Sequence, residues 1–331
     1  MRVGIVGTGS MGHTHAKAWL EAGCEVAGVI SGHLERAEQF ALEHQTKAFS
    51  SLEALLEEVD VLDICAPTHL HRSMTQAAAF AGKHVICEKP IALTLEDANA
   101  MIEVCSSHNV RLFIAQVVRF FPQYRAAQEI LNSRQLGNLG VLRLKRMGYQ
   151  PKAVGENWFL DETKSGGMVM DLMVHDFDYA HWLGGEVTRV YARSARATSP
   201  KSIGDYALVT LGFASGAIAQ IEGGWAYPKG TFRTSIDIAG SQGLIEWHSD
   251  SSSTIKSFLE PQQTDVGAVG IPSSVLSEDP YTTQIKHFQH AITTDTPFDV
   301  IPEDAIAALE IALAARESLA TGRAVHLGGL K

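Results

Sequence analysis

A chain of 331 residues exceeds the usual size of a single domain, and its hydrophobic fraction of 45% is ordinary for a globular protein. The sequence has no run of eighteen apolar residues and no signal-peptide pattern, so we expect a cytoplasmic protein with no membrane partner. Its 27 basic and 37 acidic residues leave a net charge of −10, and with no basic block this argues against a nucleic-acid partner. The four cysteines form no Cys-x-x-Cys pair, which favours buried, reduced thiols.

The first 120 residues alternate between strand-like and helix-like patterns. Strands are predicted at 3–6, 25–30, near 48, 59–67, 83–88 and 110–116, with helices at 13–22, 34–44, from 50, 71–82 and 94–108. Strands separated by helices of this length imply parallel βαβ units. The predicted fold class of residues 1–120 is therefore α/β, with a doubly wound parallel sheet.

The motif GTGSMG, at residues 7–12, falls between the first strand and the first helix. In that position Gly7 permits a tight turn, Gly9 lets the backbone approach a pyrophosphate, and Gly12 allows close packing of helix on sheet. The free N–H groups of the helix N-terminus favour phosphate binding. The motif therefore predicts a Rossmann dinucleotide site that includes Ser10 and Met11.

The end of the second strand bears on which dinucleotide binds. NAD sites usually place an acidic residue there to accept hydrogen bonds from the ribose 2′-hydroxyl. This chain has Ser31 instead, followed by His33 and Arg36, and all three can donate to a 2′-phosphate. The pattern favours NADP over NAD. The alternative is that Arg36 lies on an exposed helix face and Ser31 is merely tolerated.

Two further strand ends are predicted at the same edge of the sheet, where ligands bind in open α/β folds. Glu88 and Lys89 follow one strand and precede Pro90; a lysine in a partly dry crevice can stabilise an oxyanion or move a proton. The other predicted cofactor contacts lie at and just after the end of the strand predicted at 59–67 and are Ala66, Pro67, Thr68, His69 and His71.

Residues 121–331 have a different pattern. GVLRLKRMGYQ, EVTRVYARSAR, DYALVTLGFASGAIAQIEGGW and RTSIDIAGSQGLIEWHSD are predicted strands, with hairpin turns at ASG and GSQG. We expect a second, α+β domain with an open, largely antiparallel sheet and self-association through its exposed face. The segment from about 250 to 280 is predicted to be a variable polar loop, and a final helix at about 302–319 is expected to pack back on the body.

A polar stripe lies on the apolar segment from Met168 to Leu183. Asp171, His175 and Asp178 are spaced by four and three residues, which places them on one face of a helix. Such a stripe either faces water as an ion pair or serves a site, because burying ionisable groups without partners is costly. Asp171, His175 and Asp178 could also ligate one metal ion, but the sequence has no zinc-type cysteine pattern and we assign no metal.

The residue types suggest alcohol oxidation. His175 is suited to take a hydroxyl proton, Asp171 to orient the imidazole, and Lys89 to hold the reacting oxygen. Whether lysine or histidine carries the proton stays open. His13 and His15 of the first helix also bear on a metal alternative, and His15 is as well explained by packing as by function.

GTGSMG with His15 close behind, ICAPTHLHR, GKHVICEKPIALTLEDA, VVRFFPQYRAA and SGGMVMDLMVHDFDYAHWLGG together resemble the Gfo/Idh/MocA family of nicotinamide-dependent oxidoreductases. The resemblance covers nearly the whole chain. It implies a sugar or polyol substrate, the same roles for Lys89, Asp171 and His175, and a homodimer or homotetramer. At Met173 the family often has glycine, so the thioether either narrows the pocket or packs on the sheet.

We expect side chains of the 119–125 and 149–165 loops, including Arg119, Tyr149 and Trp158, to select the substrate. We expect a dinucleotide domain at 1–120 and a substrate and oligomerisation domain at 121–331. Two alternatives remain, a non-catalytic NAD(P)-binding regulator and a lyase or glycosidase that recycles its NAD internally.

Overall fold

A computed structural model describes residues 1–153, 157–195, 206–250 and 278–328. The chain divides into two compact units, the first formed by Met1–Phe120 with Ser274–Ile306 and the second by Phe121–Ser273 with Ala307–Lys331. In the described ranges no helix combines the length and the hydropathy that crossing a membrane requires. Most of the predicted polar loop at about 250–280 lies outside the described residues.

The first unit is built on a five-stranded sheet with strand order β2-β1-β3-β4-β5. All its strand pairs are parallel, which confirms the predicted parallel sheet. Its elements up to residue 120 are β1 Arg2–Val6, α1 Ser10–Glu21, β2 Glu25–Ile30, α2 Leu34–His44, α3 Leu52–Leu56, β3 Val61–Ile64, α4 His71–Phe80, β4 His84–Glu88, α5 Leu95–Ser107 and β5 Leu112–Ala115. The strand predicted near Ala48 is a single bridge to Val29. The central strands are buried on both faces, which explains their continuous apolar runs.

Residues 280–294, expected from their position in the sequence to belong to the second domain, form a helix of the first unit. An edge contact of Trp19 with Phe288, whose ring centroids lie 5.8 Å apart, joins this helix to α1. Phe113 of β5 contacts the same Phe288 ring at 5.2 Å. The described part of the first unit is therefore discontinuous in sequence, because its aromatic core is completed by a late segment.

The second unit contains a seven-stranded mixed sheet in which β6 and β9 are parallel and the other pairs antiparallel. The remaining elements in chain order are α6 Pro122–Asn132, β6 Leu139–Met147, α7 Glu162–Ser165, α8 Gly167–Asp171, α9 Val174–Gly184, β7 Val187–Ala195, β8 Tyr206–Phe213, β9 Ile218–Gly224, β10 Arg233–Gly240, β11 Gly243–His248, α10 Pro280–Thr294, α11 Pro302–Thr321 and β12 Val325–His326. Strand order is β11-β10-β6-β9-β8-β7-β12, and both predicted hairpins are confirmed. From residue 307 onward α11 belongs to this unit, where the Ser318 hydroxyl accepts a hydrogen bond from the backbone N–H of Ala192.

A buried ion pair joins α9 to the centre of this sheet. The Arg146 guanidinium donates from Nε to Asp176 Oδ2 at 2.7 Å and from Nη2 to Oδ1 at 3.1 Å. Arg146 also donates to the Tyr124 hydroxyl at 3.3 Å, so both charges are compensated inside an otherwise apolar layer. The neighbouring Arg143 points to the other, exposed face of β6 because side chains alternate along a strand.

We expect Asp176→Asn to lower the free energy of unfolding by about 3–5 kcal/mol, because it leaves the buried Arg146 charge uncompensated. Urea unfolding followed by tryptophan fluorescence measures this. Arg143→Gln on the exposed face is the matched control and should stay within about 0.5 kcal/mol of wild type. An equal loss of unfolding free energy in the two variants would contradict a stabilising role of the Arg146–Asp176 ion pair.

Candidate active site

The glycine loop of the first unit has room for a phosphate. Gly7 has a φ of 109°, and a Cβ there would collide with the Cys65 carbonyl oxygen. A Cβ on Gly12 would collide with the Gly7 carbonyl oxygen, whereas a Cβ on Gly9 would have no protein atom within 4 Å. Gly9 is the N-cap of α1, so the first N–H groups of the helix, including those of Ser10 and Met11, have no partners within the helix. The loop fits a dinucleotide pyrophosphate.

The end of β2 lies beside this loop. The Thr8 hydroxyl donates to the Ser31 hydroxyl at 3.2 Å, which links the segments after β1 and β2. His33 is exposed and caps α2, and Arg36 lies half-buried in its first turn. Glu35 is the acidic residue of that turn, but none stands directly after the strand.

The His71 ring, predicted as a cofactor contact, lies between two backbone carbonyl groups. It is fully buried, with Nε2 3.0 Å from the Ala66 carbonyl oxygen and Nδ1 3.0 Å from the Pro90 carbonyl oxygen. The ring therefore joins the loops after β3 and β4 and has no nitrogen left for a cofactor. His69, in the 3₁₀ turn after β3, is exposed.

A buried charged network lies beneath the same strand ends. His15 Nδ1 is 2.9 Å from Asp63 Oδ2, and the Trp19 indole N–H donates to that oxygen at 2.7 Å. On the other side of the ring, His15 Nε2 lies 3.1 Å from Glu88 Oε1, an ionic contact without good hydrogen-bond alignment. Burial lowers the pKa of His15, but the Asp63 carboxylate and Cys65 outweigh it and the pKa is raised well above the usual value. His15 is thus an imidazolium between two carboxylates.

Lys89 follows Glu88 at the end of β4. Its backbone N–H donates to Glu88 Oε2 at 3.1 Å, and the Lys89–Pro90 peptide bond is cis. The Lys89 side chain is half-buried. Glu88 therefore contacts His15 with one oxygen and holds the Lys89 backbone with the other.

The predicted polar stripe of the second unit spans two helices rather than one. α8 ends at Asp171, and α9 begins at Val174 after a short interruption at Leu172 and Met173. Asp171 is 9% exposed and Asp178 0%, so a water-exposed ion pair does not describe them, while His175 is half-buried. The Met173 thioether packs on Gly223 of β9, which decides between its two predicted roles in favour of packing on the sheet.

The three predicted substrate contacts lie in different settings. Arg119 is 1% exposed, and its guanidinium forms an ion pair with Asp304 at 2.9 Å within the first unit. This ion pair ties Arg119 to the late segment of the first unit, and its role as a substrate contact stays a prediction. In the second unit, Tyr149 forms a bridge to Ala226, and Trp158 stacks on Phe159 with 4.0 Å between ring centroids. Both aromatic residues are half-buried.

Sequence reasoning missed two sets of charged residues. Asp63 in the apolar strand VLDI and Arg146 at an inward position of β6 both break the apolar pattern, and that interruption was the available signal. Their partners His15 and Asp176 are 48 and 30 residues away in sequence, so the pairing itself becomes visible only in the fold.

The parallel sheet with its glycine loop and the mixed sheet that follows it each match a family model of oxidoreductases. Residues 1–116 match the family model described as oxidoreductase family, NAD-binding Rossmann fold, and residues 124–246 match the GFO/IDH/MocA C-terminal domain. The chain belongs to the GFO/IDH/MocA family of oxidoreductases.

Several known proteins resemble this chain along nearly its full length. Myo-inositol 2-dehydrogenase of Thermotoga maritima is 30% identical over 341 residues, which cover 99% of this chain and 98% of that protein. The 1,5-anhydro-D-fructose reductase of Ensifer adhaerens is 28% identical over 344 residues, covering 98% of each. The crystal structure of GenD2 from gentamicin A biosynthesis in complex with NAD has a TM-score of 0.87 over 99% of this chain and 97% of that one, and at 23% identity it supports the fold.

Asp63→Asn should destabilise the protein in a pH-dependent way. Because the native pKa of His15 lies above its unfolded value of about 6.5, the imidazolium stabilises the fold fully below that pH and loses this effect as pH rises through the native pKa. Removing the Asp63 charge should therefore cost more free energy of unfolding near pH 6 than near pH 9.

Urea unfolding at both pH values measures the difference, with the exposed Glu57→Gln as control. A pH-independent loss for Asp63→Asn would contradict a charged His15.

Proposed function

We propose that this oxidoreductase transfers a hydride between bound NAD(P) and the secondary alcohol or ketone carbon of a sugar, polyol or related small molecule. The open glycine loop carries the proposal, because the space beside Gly9 lets a ligand approach the backbone closely. The substrate class is supported by the names of relatives that share its whole length, a myo-inositol dehydrogenase and an anhydrofructose reductase.

Three residues are proposed to carry the chemistry. The nicotinamide, when bound, accepts the hydride from the substrate carbon. His175 takes the hydroxyl proton, so that the alcohol carbon loses a hydride and a proton together and becomes a carbonyl. Asp171 orients the imidazole and stabilises its charged form, and Lys89 donates to the reacting oxygen.

Other residues are proposed to bind the cofactor and the substrate. Tyr149 and Trp158 are the proposed substrate contacts, because aromatic rings suit the apolar faces of sugars and polyols. The proposed cofactor contacts come from the segments after β1, β2, β3 and β4 and are Gly7, Gly9, Ser10, Met11, Gly12, Ser31, His33, Arg36, Ala66, Pro67, Thr68, His69, Glu88 and Lys89. His71 is proposed to position these loops instead of touching the cofactor.

NADP is proposed as the preferred dinucleotide. The residue directly after β2 is a serine whose hydroxyl already contacts Thr8, and His33 and Arg36 follow it. These groups can donate to a 2′-phosphate, whereas the carboxylate that usually accepts from a 2′-hydroxyl is missing from 31–33.

The other two functions that the sequence left open are less well supported. A non-catalytic regulator needs the glycine loop but does not need residues that transfer a proton. The presence of Lys89, Asp171 and His175 therefore favours an enzyme. A lyase or glycosidase with recycled NAD does not match relatives named as a dehydrogenase and a reductase.

Assembly and location are also proposed. The outer face of the second sheet exposes Leu208, Ile218 and Leu244, with 52%, 43% and 64% of their surface accessible, and such a surface favours a homodimer or homotetramer. A cytoplasmic location suits the four free cysteines. We propose that residues 1–120 bind the dinucleotide and that 121–331 supply substrate binding and assembly, except for Ser274–Ile306, which contains all of α10 and belongs to the first unit.

His175→Gln should lower kcat by about 10²- to 10⁴-fold, because it removes the proposed proton acceptor, while the Kd of the dinucleotide stays within about twofold. Lys89→Met should lower kcat by a comparable factor through loss of oxyanion stabilisation. Turnover with polyols and sugar ketones, together with cofactor binding by fluorescence, measures both.

His181→Gln, on the same helix α9, is the matched control and should keep full turnover. Normal turnover in His175→Gln and Lys89→Met would refute the assigned chemistry and leave the family membership intact.

Ser31→Asp should shift the ratio of NADP to NAD affinity towards NAD by at least about tenfold, because a carboxylate accepts from the 2′-hydroxyl and repels the 2′-phosphate. Quenching of tryptophan fluorescence by NADPH and NADH measures the two affinities. Ser31→Ala separates the added charge from loss of the hydroxyl. An unchanged ratio in Ser31→Asp would place the ribose elsewhere.

A further inference from the structure

A cluster of potential metal ligands lies between α1 and α2 of the first unit, apart from the residues assigned to the reaction. It consists of His13 on α1 and of Glu43 and His44 at the end of α2, and we refer to it as the α1–α2 cluster. His13 and His44 are 31 residues apart in sequence and meet only because the two helices lie side by side. A cavity of about 360 Å³ borders the three side chains.

An aromatic platform holds the two imidazoles in place. The Phe40 ring, 1% exposed, contacts His13 with 4.6 Å between ring centroids and His44 with 4.4 Å. Rings that pack on a fixed buried neighbour lose few rotamers when they bind a ligand, which lowers the entropic cost of binding.

The donor atoms are close enough to share one ion. His13 Nδ1 lies 2.8 Å from His44 Nε2 and 3.7 Å from Glu43 Oε1, and all three donor atoms lie within 4.8 Å of one another. Tetrahedral zinc with bonds of 2.0–2.1 Å separates its ligand atoms by about 3.4 Å. The two imidazole nitrogens therefore have to move apart from 2.8 Å, and the Glu43 side chain, which is 60% exposed, is able to adjust to them.

The charge of the surroundings also suits a cation. His44 lies in the last turn of α2, where the helix presents its partial negative charge. Lys17 lines the same cavity, but its ammonium group lies 3.6 Å from Glu21 Oε1, an acidic partner outside the cluster.

We infer that the α1–α2 cluster binds a divalent transition-metal ion, zinc in particular, through His13, Glu43 and His44, with water completing the coordination. Two imidazoles and one carboxylate are a donor set that zinc accepts, whereas magnesium and calcium prefer oxygen. The ion has no part in hydride transfer. It cross-links the helices that follow β1 and β2 and so stabilises the first unit.

Calorimetric titration of the chelator-treated full chain with zinc chloride tests this inference without any enzyme assay. We expect one zinc ion per chain and a higher melting temperature with zinc. His13→Gln and His44→Gln should each weaken binding by at least about tenfold. His290→Gln, at an exposed position of α10, should bind zinc as wild type does.

Glu43→Gln provides a variant whose folding is not at risk, because its side chain is 60% exposed, and it should also weaken binding. Failure of the wild type to bind zinc would overturn the inference. Zinc binding unchanged in all three cluster variants would overturn it too, and would point to His15, Asp63 and Cys65, the other group of suitable geometry among the described residues.

Discussion

The carboxyl end of the parallel sheet depends on one buried imidazolium. His15 comes from α1, Asp63 from β3 and Glu88 from β4, and none of these charges can lose its neighbour without a large desolvation cost. The ring therefore fixes the distances between the elements that carry the glycine loop, the loop after β3 and the Lys89 segment. His71 adds a second link above it, between the Ala66 and Pro90 carbonyl groups.

Each unit places a structural charge next to a residue with a proposed chemical role. Glu88 precedes Lys89, and Asp176 follows His175. On α9 adjacent residues point about 100° apart, so Asp176 can reach Arg146 of the sheet while His175 faces another direction. Partnered neighbours of this kind help to hold a functional side chain in one geometry.

Local patterns in the sequence predicted much of this fold. The parallel strands, the glycine loop and both hairpins follow from short-range signals of periodicity and turn chemistry. Roles that depend on distant partners did not follow. The Arg119–Asp304 ion pair joins residues 185 positions apart, and the carbonyl groups beside the His71 ring belong to two separate loops, so neither arrangement has a local signal. The break between α8 and α9 was not predicted either, because no glycine or proline lies between the two helices.

The discontinuity of the first unit matters during biosynthesis. When the ribosome has completed β5, the glycine loop and all five parallel strands exist, but Phe113 and Trp19 still lack the Phe288 ring that covers them. α10 emerges only after most of the second unit has been synthesised. An N-terminal fragment ending at residue 120 would expose this aromatic surface and be prone to aggregate, so the dinucleotide-binding half cannot be separated from the rest by a single cut of the chain.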